Sequence, residues 1–185
     1  HLPGPGGVLN LEDCTFTDLD GGRCEVSGTR FEATPYCVKL EAARVVGYRT
    51  ISIAGLRDPI MISQIDSILD EVRRQVSDTL SRENIRGEIV TKLYGRDGVM
   101  GSLEPTPVAG HELGLVIEAI SPTQDEADTL CAAFRSTLLH YGYPGRMATA
   151  GNLALPYSPS DLPAGAVYEF SLYHLMPIGD PADFP

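Results

Sequence analysis

The chain has 185 residues, of which 43% are hydrophobic and 21% charged, and it carries a net charge of −11. A chain of this size buries roughly 70% of the surface its unfolded form exposes, so its core needs no metal or disulfide staple. The acidic balance disfavours phosphate backbones and anionic membrane surfaces, no apolar run approaches the ~20 residues that span a bilayer, and no charged-then-apolar leader opens the sequence.

The first 42 residues read as β-rich and irregular. "PGPGGVLN" has the composition of a linker. "CTFTDL" and "GRCEVSGTR" are short alternating segments joined by "DGG", which suits a hairpin. The spacing of Cys14 and Cys24 would fit a bridge across it. Without any C-x-x-C pair or zinc spacing, the four cysteines read instead as reduced, partly buried thiols, and the expected location is the cytoplasm. "YCVKLEAARVVGYRTISIAG" is rich in Val, Ile, Tyr and Thr and predicts two strand segments, the second at about Val45 to Ala54.

The strongest helix comes next. Asp58 can cap it, Pro59 sits where a missing N–H costs nothing, and Met61, Ile65, Ile68, Leu69, Val72, Val76 and Leu80 form one apolar stripe. "RGEIVTKLYG" and "ELGLVIEAI" predict strands, separated by a Gly- and Pro-dense connection. A second helix opens at "SPTQ" as a capping box with proline at the first helical position, carries Ala127, Leu130, Cys131, Phe134, Leu138 and Tyr141 on one face, and meets Gly142 at its end. "AVYEFSLYHLM" predicts the last strand.

The resulting order, β-α-β-β-α-β, predicts an α+β, ferredoxin-like split βαβ sheet with two helices on one face, preceded by an N-terminal β-hairpin segment. A doubly wound α/β sheet is the alternative and would place helices on both faces. The expected organisation is a linker and hairpin over residues 1–42, packing on the core, and the α+β domain over 43–185.

Recognised catalytic patterns are absent. Phosphate loops, G-x-S-x-G and H-E-x-x-H are not found, so no metal, no cofactor and no catalytic residue is assigned. Arg57 stands at a strand-to-helix junction, where it would help bind an anion, although Asp58 and Pro59 also make a self-capped helix beside an exposed arginine. His140 suits the end of the second helix, His174 falls on the side of Phe170 and Leu172 in the last strand, and His111 lies in a loop. About 25 residues separate the second helix from the last strand, a length that is usually functional unless an element is hidden in it. "RMATAGNLAL" reads either as an extra strand or as a loop lining a pocket, and "SPSD" as the start of a short helical turn.

"PYCVKLEAARVVGYRTISIAGLRDPIMISQID", "LLHYGYPGRMATAGNLALPYSPSD" and the closing "YEFSLYHL…DP" resemble the C-terminal part of the acyclic terpene utilisation (AtuA) family, from about Gly6 to Asp183. The resemblance implies catabolism of branched acyclic terpenoids through acyl-CoA intermediates, with lyase or hydratase chemistry. Family members carry a large α/β half ahead of this part, so the resemblance and the histidine start together predict a fragment, or a half-length relative that works with a partner chain. Substrate-binding candidates on the matching motifs are Arg57, Arg146, Thr149, Asn152, Ser158 and Asp161, with Asp58 as a further motif position. The competing expectation is a non-catalytic assembly or ligand-binding module that docks on the catalytic half or forms homo-oligomers through strand edges.

Overall fold

Alternating apolar residues become strands and the two apolar stripes become helices in the computed structural model, which describes every residue except Pro5, Pro107, Ala148, Pro181 and 183–185. In chain order the elements are β1 (Leu2–Gly4), β2 (Gly7–Asn10), β3 (Thr15–Leu19), β4 (Arg23–Ser27), β5 (Arg30–Ala33), β6 (Cys37–Leu56), α1 (Pro59–Ser63), α2 (Ile65–Arg82), β7 (Glu88–Tyr94), β8 (Leu113–Ser121), α3 (Gln124–His140) and β9 (Asp161–Pro177). The protein is thus mixed α+β. Its strands form the sheets β1-β2-β5, β3-β4 and β7-β8-β6-β9. The chain divides into two units, one of residues 1–44 with 169–185, the other of residues 45–168.

The second unit owns the core. In it β8 pairs antiparallel with β6, from Tyr48 opposite Ser121 to Leu56 opposite Leu113, and with β7, from Glu88 opposite Ile120 to Tyr94 opposite Gly114. Successive side chains alternate between faces, so Leu113, Leu115, Ile117 and Ala119 of β8 share one face. They join Ala54, Leu56, Ile89, Leu93 and the helix stripes in one buried cluster. Helix α3 packs on both β8 and α2.

Every member of the expected stripe from Met61 to Leu80 is buried. The helix is interrupted, however, at Gln64, whose backbone leaves the helical region (φ −114°, ψ 8°). Its side-chain amide donates to the Pro144 carbonyl at 3.1 Å, tying the break to the chain beyond α3. The far end of α2 closes on Asn84, which takes a left-handed conformation (φ 59°) while Asn84 and Ile85 donate to the Ser81 and Leu80 carbonyls. That is a Schellman ending.

The capping box of α3 is present, built two residues later than the sequence suggested. Thr123 is the cap, its hydroxyl accepting from the Glu126 N–H, so Pro122 precedes the cap and does not open the helix. Ser121 belongs to β8 and is buried. At the other end Tyr141, in an extended conformation, stops the helix before Gly142 is reached.

In the first unit "PGPGGVLN" is not a linker: β1 and β2 pair antiparallel, Leu2 opposite Leu9, and β2 pairs in turn with β5. The expected hairpin is there, β3 against β4, with Gly21 and Gly22 both at positive φ in the turn. Such values are open to glycine without strain. Cys24 sits opposite Asp18, so Cys14 and Cys24 are not cross-strand partners, and all four cysteines are free. The two segments predicted between residues 36 and 55 are one strand of 20 residues. No helix among the described residues is long and apolar enough to cross a membrane.

Candidate functional site

The loop between α3 and β9 is neither a strand nor a helix. It bridges the sheet at Ala154 with Gly55, its Ser160 carbonyl accepts from the Ser52 hydroxyl of β6 at 2.9 Å, and "SPSD" forms no helical turn but runs into β9 at Asp161. Its position is set by backbone bonds to the end of β6. The Gly55 and Ala154 amides each donate to the other's carbonyl at 2.8 and 2.9 Å, and the Gly151 carbonyl accepts from both Arg57 N–H (2.8 Å) and Asp58 N–H (3.0 Å). Leu153 enters the core beside it. The loop is therefore a fixed wall over the β6–α1 junction.

Behind this wall lies a polar network. One Asp58 oxygen caps α1 at the Ile60 N–H (2.9 Å), while the other accepts from Tyr143 Oη–H (2.7 Å) and Asn152 Nδ2–H (2.8 Å). Asn152 also donates to Tyr143 Oη, and its carbonyl accepts from the Thr149 N–H at 2.8 Å. Asn152 is 4% exposed, so these bonds satisfy a group that would otherwise be costly to bury. The Tyr143 hydroxyl and the neighbouring N–H donors hold the Asp58 carboxyl below its usual range. Burial first, and then Asp58, push the Tyr143 phenol up to about 12. At neutral pH a carboxylate thus faces a neutral phenol and an amide, with every donor used. The network holds the loop in place.

In front of the wall is a cleft of about 260 Å³, lined by Arg57, Pro59, Ile60, Met147, Thr149 and Gly151 among others. Pro59, Ile60 and Met147 make it apolar. Arg57 is exposed and, among the described residues, has no ion partner. The lining brings two predicted binding residues, Arg57 and Thr149, to one opening, with Asn152 supporting them from behind.

The remaining candidates go elsewhere. Arg146 turns its guanidinium onto the Leu139 carbonyl at 3.1 Å, which closes the end of α3. Asp161 is held by Arg135 of α3 through two bonds of 2.7 and 2.8 Å, a bidentate pair with both partners largely covered. Ser158 is exposed and is not part of the cleft lining. His140 is in the last turn of α3, whereas His174 is exposed on β9.

Sequence reasoning singled out neither Tyr143 nor Arg135. It also missed the buried Thr50, whose hydroxyl donates to Asp128 and accepts from Gln124 of α3. The buried Cys131 thiol is pushed up to about 12, chiefly by desolvation, so it is no nucleophile at neutral pH. Among the described residues no group of His, Cys, Asp and Glu has a metal-holding arrangement.

No curated protein and no solved structure matches the chain. The model of the acyclic terpene utilisation family protein AtuA matches residues 3–161, which takes in the cleft, the network behind it and most of both units, and the chain belongs to that family.

Proposed function

We propose that this chain serves acyclic terpene utilisation by binding a short, branched acyl intermediate, as a carboxylate or thioester, in the cleft at the β6–α1 junction. The observation that carries this reading is the Arg57 guanidinium, without an ion partner among the described residues, at the rim of an apolar cleft whose wall is fixed by backbone bonds. Arg57 would take the carboxylate or a phosphate of the carrier, and Pro59, Ile60 and Met147 the branched hydrocarbon. A volume of about 260 Å³ lies below the ~300–1,000 Å³ of drug-sized pockets, so the ligand is a short acyl group rather than a whole terpenoid chain.

Lyase or hydratase chemistry on that group is assigned to this chain acting together with an N-terminal half or partner chain. The support is that Asp58 and Tyr143, the strongest acid–base pair near the cleft, are spent on each other and on Asn152. The split βαβ reading of the domain is supported by the order β7-β8-β6-β9, in which β8 lies between the two strands joined through α1 and α2.

Calorimetric titration of the full chain with isovalerate, its straight isomer valerate, and isovaleryl-CoA tests the reading. Isovalerate or its thioester should bind better than valerate, and Arg57→Ala should weaken binding about tenfold to a hundredfold, the worth of a hydrogen bond to a charged group. Equal binding by wild type and Arg57→Ala would remove the cleft from consideration.

A further inference from the structure

Gly151 fixes the cleft wall through its carbonyl, so a side chain at that position would take no part in holding the loop. A Cβ placed on it would stand 3.4 Å from Arg57 Cβ, 3.6 Å from Thr149 Oγ1 and 3.6 Å from the Asp58 nitrogen. Those are ordinary contact distances, and Gly151 is not among the glycines at positive φ. Neither strain nor crowding therefore demands glycine. What glycine does is keep a hollow the width of a methyl group open to the cleft, with the Arg57 stem on one side and the Thr149 hydroxyl on another.

Both flanking side chains can still donate. Among the described residues Arg57 has no ion partner, and Thr149 is held by its backbone N–H on Asn152 while its hydroxyl has no hydrogen-bond partner. The Asp58 nitrogen, the third neighbour of the hollow, is already spent on the Gly151 carbonyl.

Charge and shape select the ligand. The cleft lining holds one cation, Arg57, and one acid, Asp58, whose oxygens are taken by the Ile60 N–H, Tyr143 and Asn152. A monoanion balances Arg57. A dianion such as a phosphate monoester would bring a second charge against Asp58 and against a protein already at −11. A guanidinium and a hydroxyl flanking one hollow match the two acceptor oxygens of a carboxylate. A thioester offers a single neutral carbonyl, and its sulfur and carrier stand where the second oxygen would be. Pro59, Ile60 and Met147 complete the lining with apolar surface for a branched hydrocarbon.

We propose, resting on the acyl-binding reading of the cleft, that its ligand is a free branched monocarboxylate, one oxygen bonded by Arg57 and the other by the Thr149 hydroxyl, in the space that Gly151 leaves open.

Calorimetric titration of the full chain and its Thr149→Val, Gly151→Ala and Arg57→Ala variants with isovalerate, isovaleramide and isovaleryl-CoA tests this. Wild type should bind isovalerate about tenfold more tightly than the neutral amide, and more tightly than the thioester. Thr149→Val keeps the shape and removes the hydroxyl, and should weaken isovalerate about tenfold with the urea midpoint unchanged. Gly151→Ala fills the hollow and should weaken isovalerate at least as much. A thioester bound more tightly than the acid overturns the proposal, as does isovalerate binding that Thr149→Val leaves unmoved. If Arg57→Ala still weakens binding in that case, the cleft reading stands and only the preference for the acid is lost. If Arg57→Ala is silent as well, both fall. The exposed Thr149→Val change keeps the proposal open to refutation even where Gly151→Ala fails to fold.

Discussion

Residues 45–168 and residues 1–44 with 169–185 contain similar kinds of strand, yet they are stabilised in different ways. In the first region β6, β7 and β8 put one face into a core shared with α2 and α3, and Phe134, Leu56, Ile117 and Val72 are completely covered. In the second every residue of β3, β4 and β5 is exposed. Hydrogen-bonded pairing is present in both, so pairing alone does not make a domain. The helices do, by giving the sheet something to bury against.

The sharpest way to break this comparison is to remove one large apolar side chain from each region. Phe134→Ala should cost about 3–5 kcal/mol in urea unfolding, since a ring with no exposure leaves a cavity. Phe16→Ala in β3, 72% exposed, should change the same midpoint by at most about 0.5 kcal/mol in dilute solution. Comparable losses at the two sites would show that the first unit hides a core of its own.

Between these extremes stands the network at the cleft. Asp58→Ala removes a helix cap and strands Tyr143 and Asn152, for an expected loss of about 2–3 kcal/mol. Because the folded Asp58 carboxyl is held below its ordinary value of 3.8, its contribution is fully present above that value and is lost as pH falls through the lower folded one. Acid unfolding monitored by circular dichroism should therefore show a wild-type drop below about pH 4 that Asp58→Asn flattens. Tyr143→Phe should cost less, about 1 kcal/mol, since it deletes one hydroxyl and leaves Asn152 a carboxylate to bind. The matching absorbance titration should find Tyr143 among the last phenols to ionise, because it is raised to about 12.

Arg57→Ala should have as small a stability effect as Phe16→Ala, within about 0.5 kcal/mol, because the side chain is exposed and has no ion partner among the described residues. Its loss should be seen in ligand binding alone. A thermal shift as large as that of Asp58→Ala would mean that Arg57 is structural, and the cleft reading would fail.

Legibility in the sequence divides along the same line. The stripe from Met61 to Leu80 and that from Ala127 to Leu138 were legible because a buried helical face leaves a 3.6-residue period. The unbroken β6 was not: Val38, Leu40 and Ala42 alternate with Lys39 and Glu41, but the alternation breaks at Ala43 and Arg44, so nothing marks that segment as continuous with Val45 to Leu56. Asp58 was legible as a cap from Pro59 and the apolar stripe that opens at Met61. Its bonds to Tyr143 and Asn152 span 85 and 94 residues, and nothing local to either partner announces them. Arg146 and Asp161 were named for their chemistry, yet each is occupied by the chain itself: Arg146 by a carbonyl and Asp161 by Arg135.

The carbonyl of Gly151, accepting two amides at once, has a consequence for how this protein can change over generations. A wall held by main-chain atoms, with Asn152 and Leu153 anchoring it from behind, does not depend on the side chains that face the cleft. Residues such as Met147 and Thr149 are then free to drift in size and polarity, reshaping what the cleft admits while the scaffold underneath is left alone. Relatives with different appetites could arise from one framework by swapping two or three such side chains.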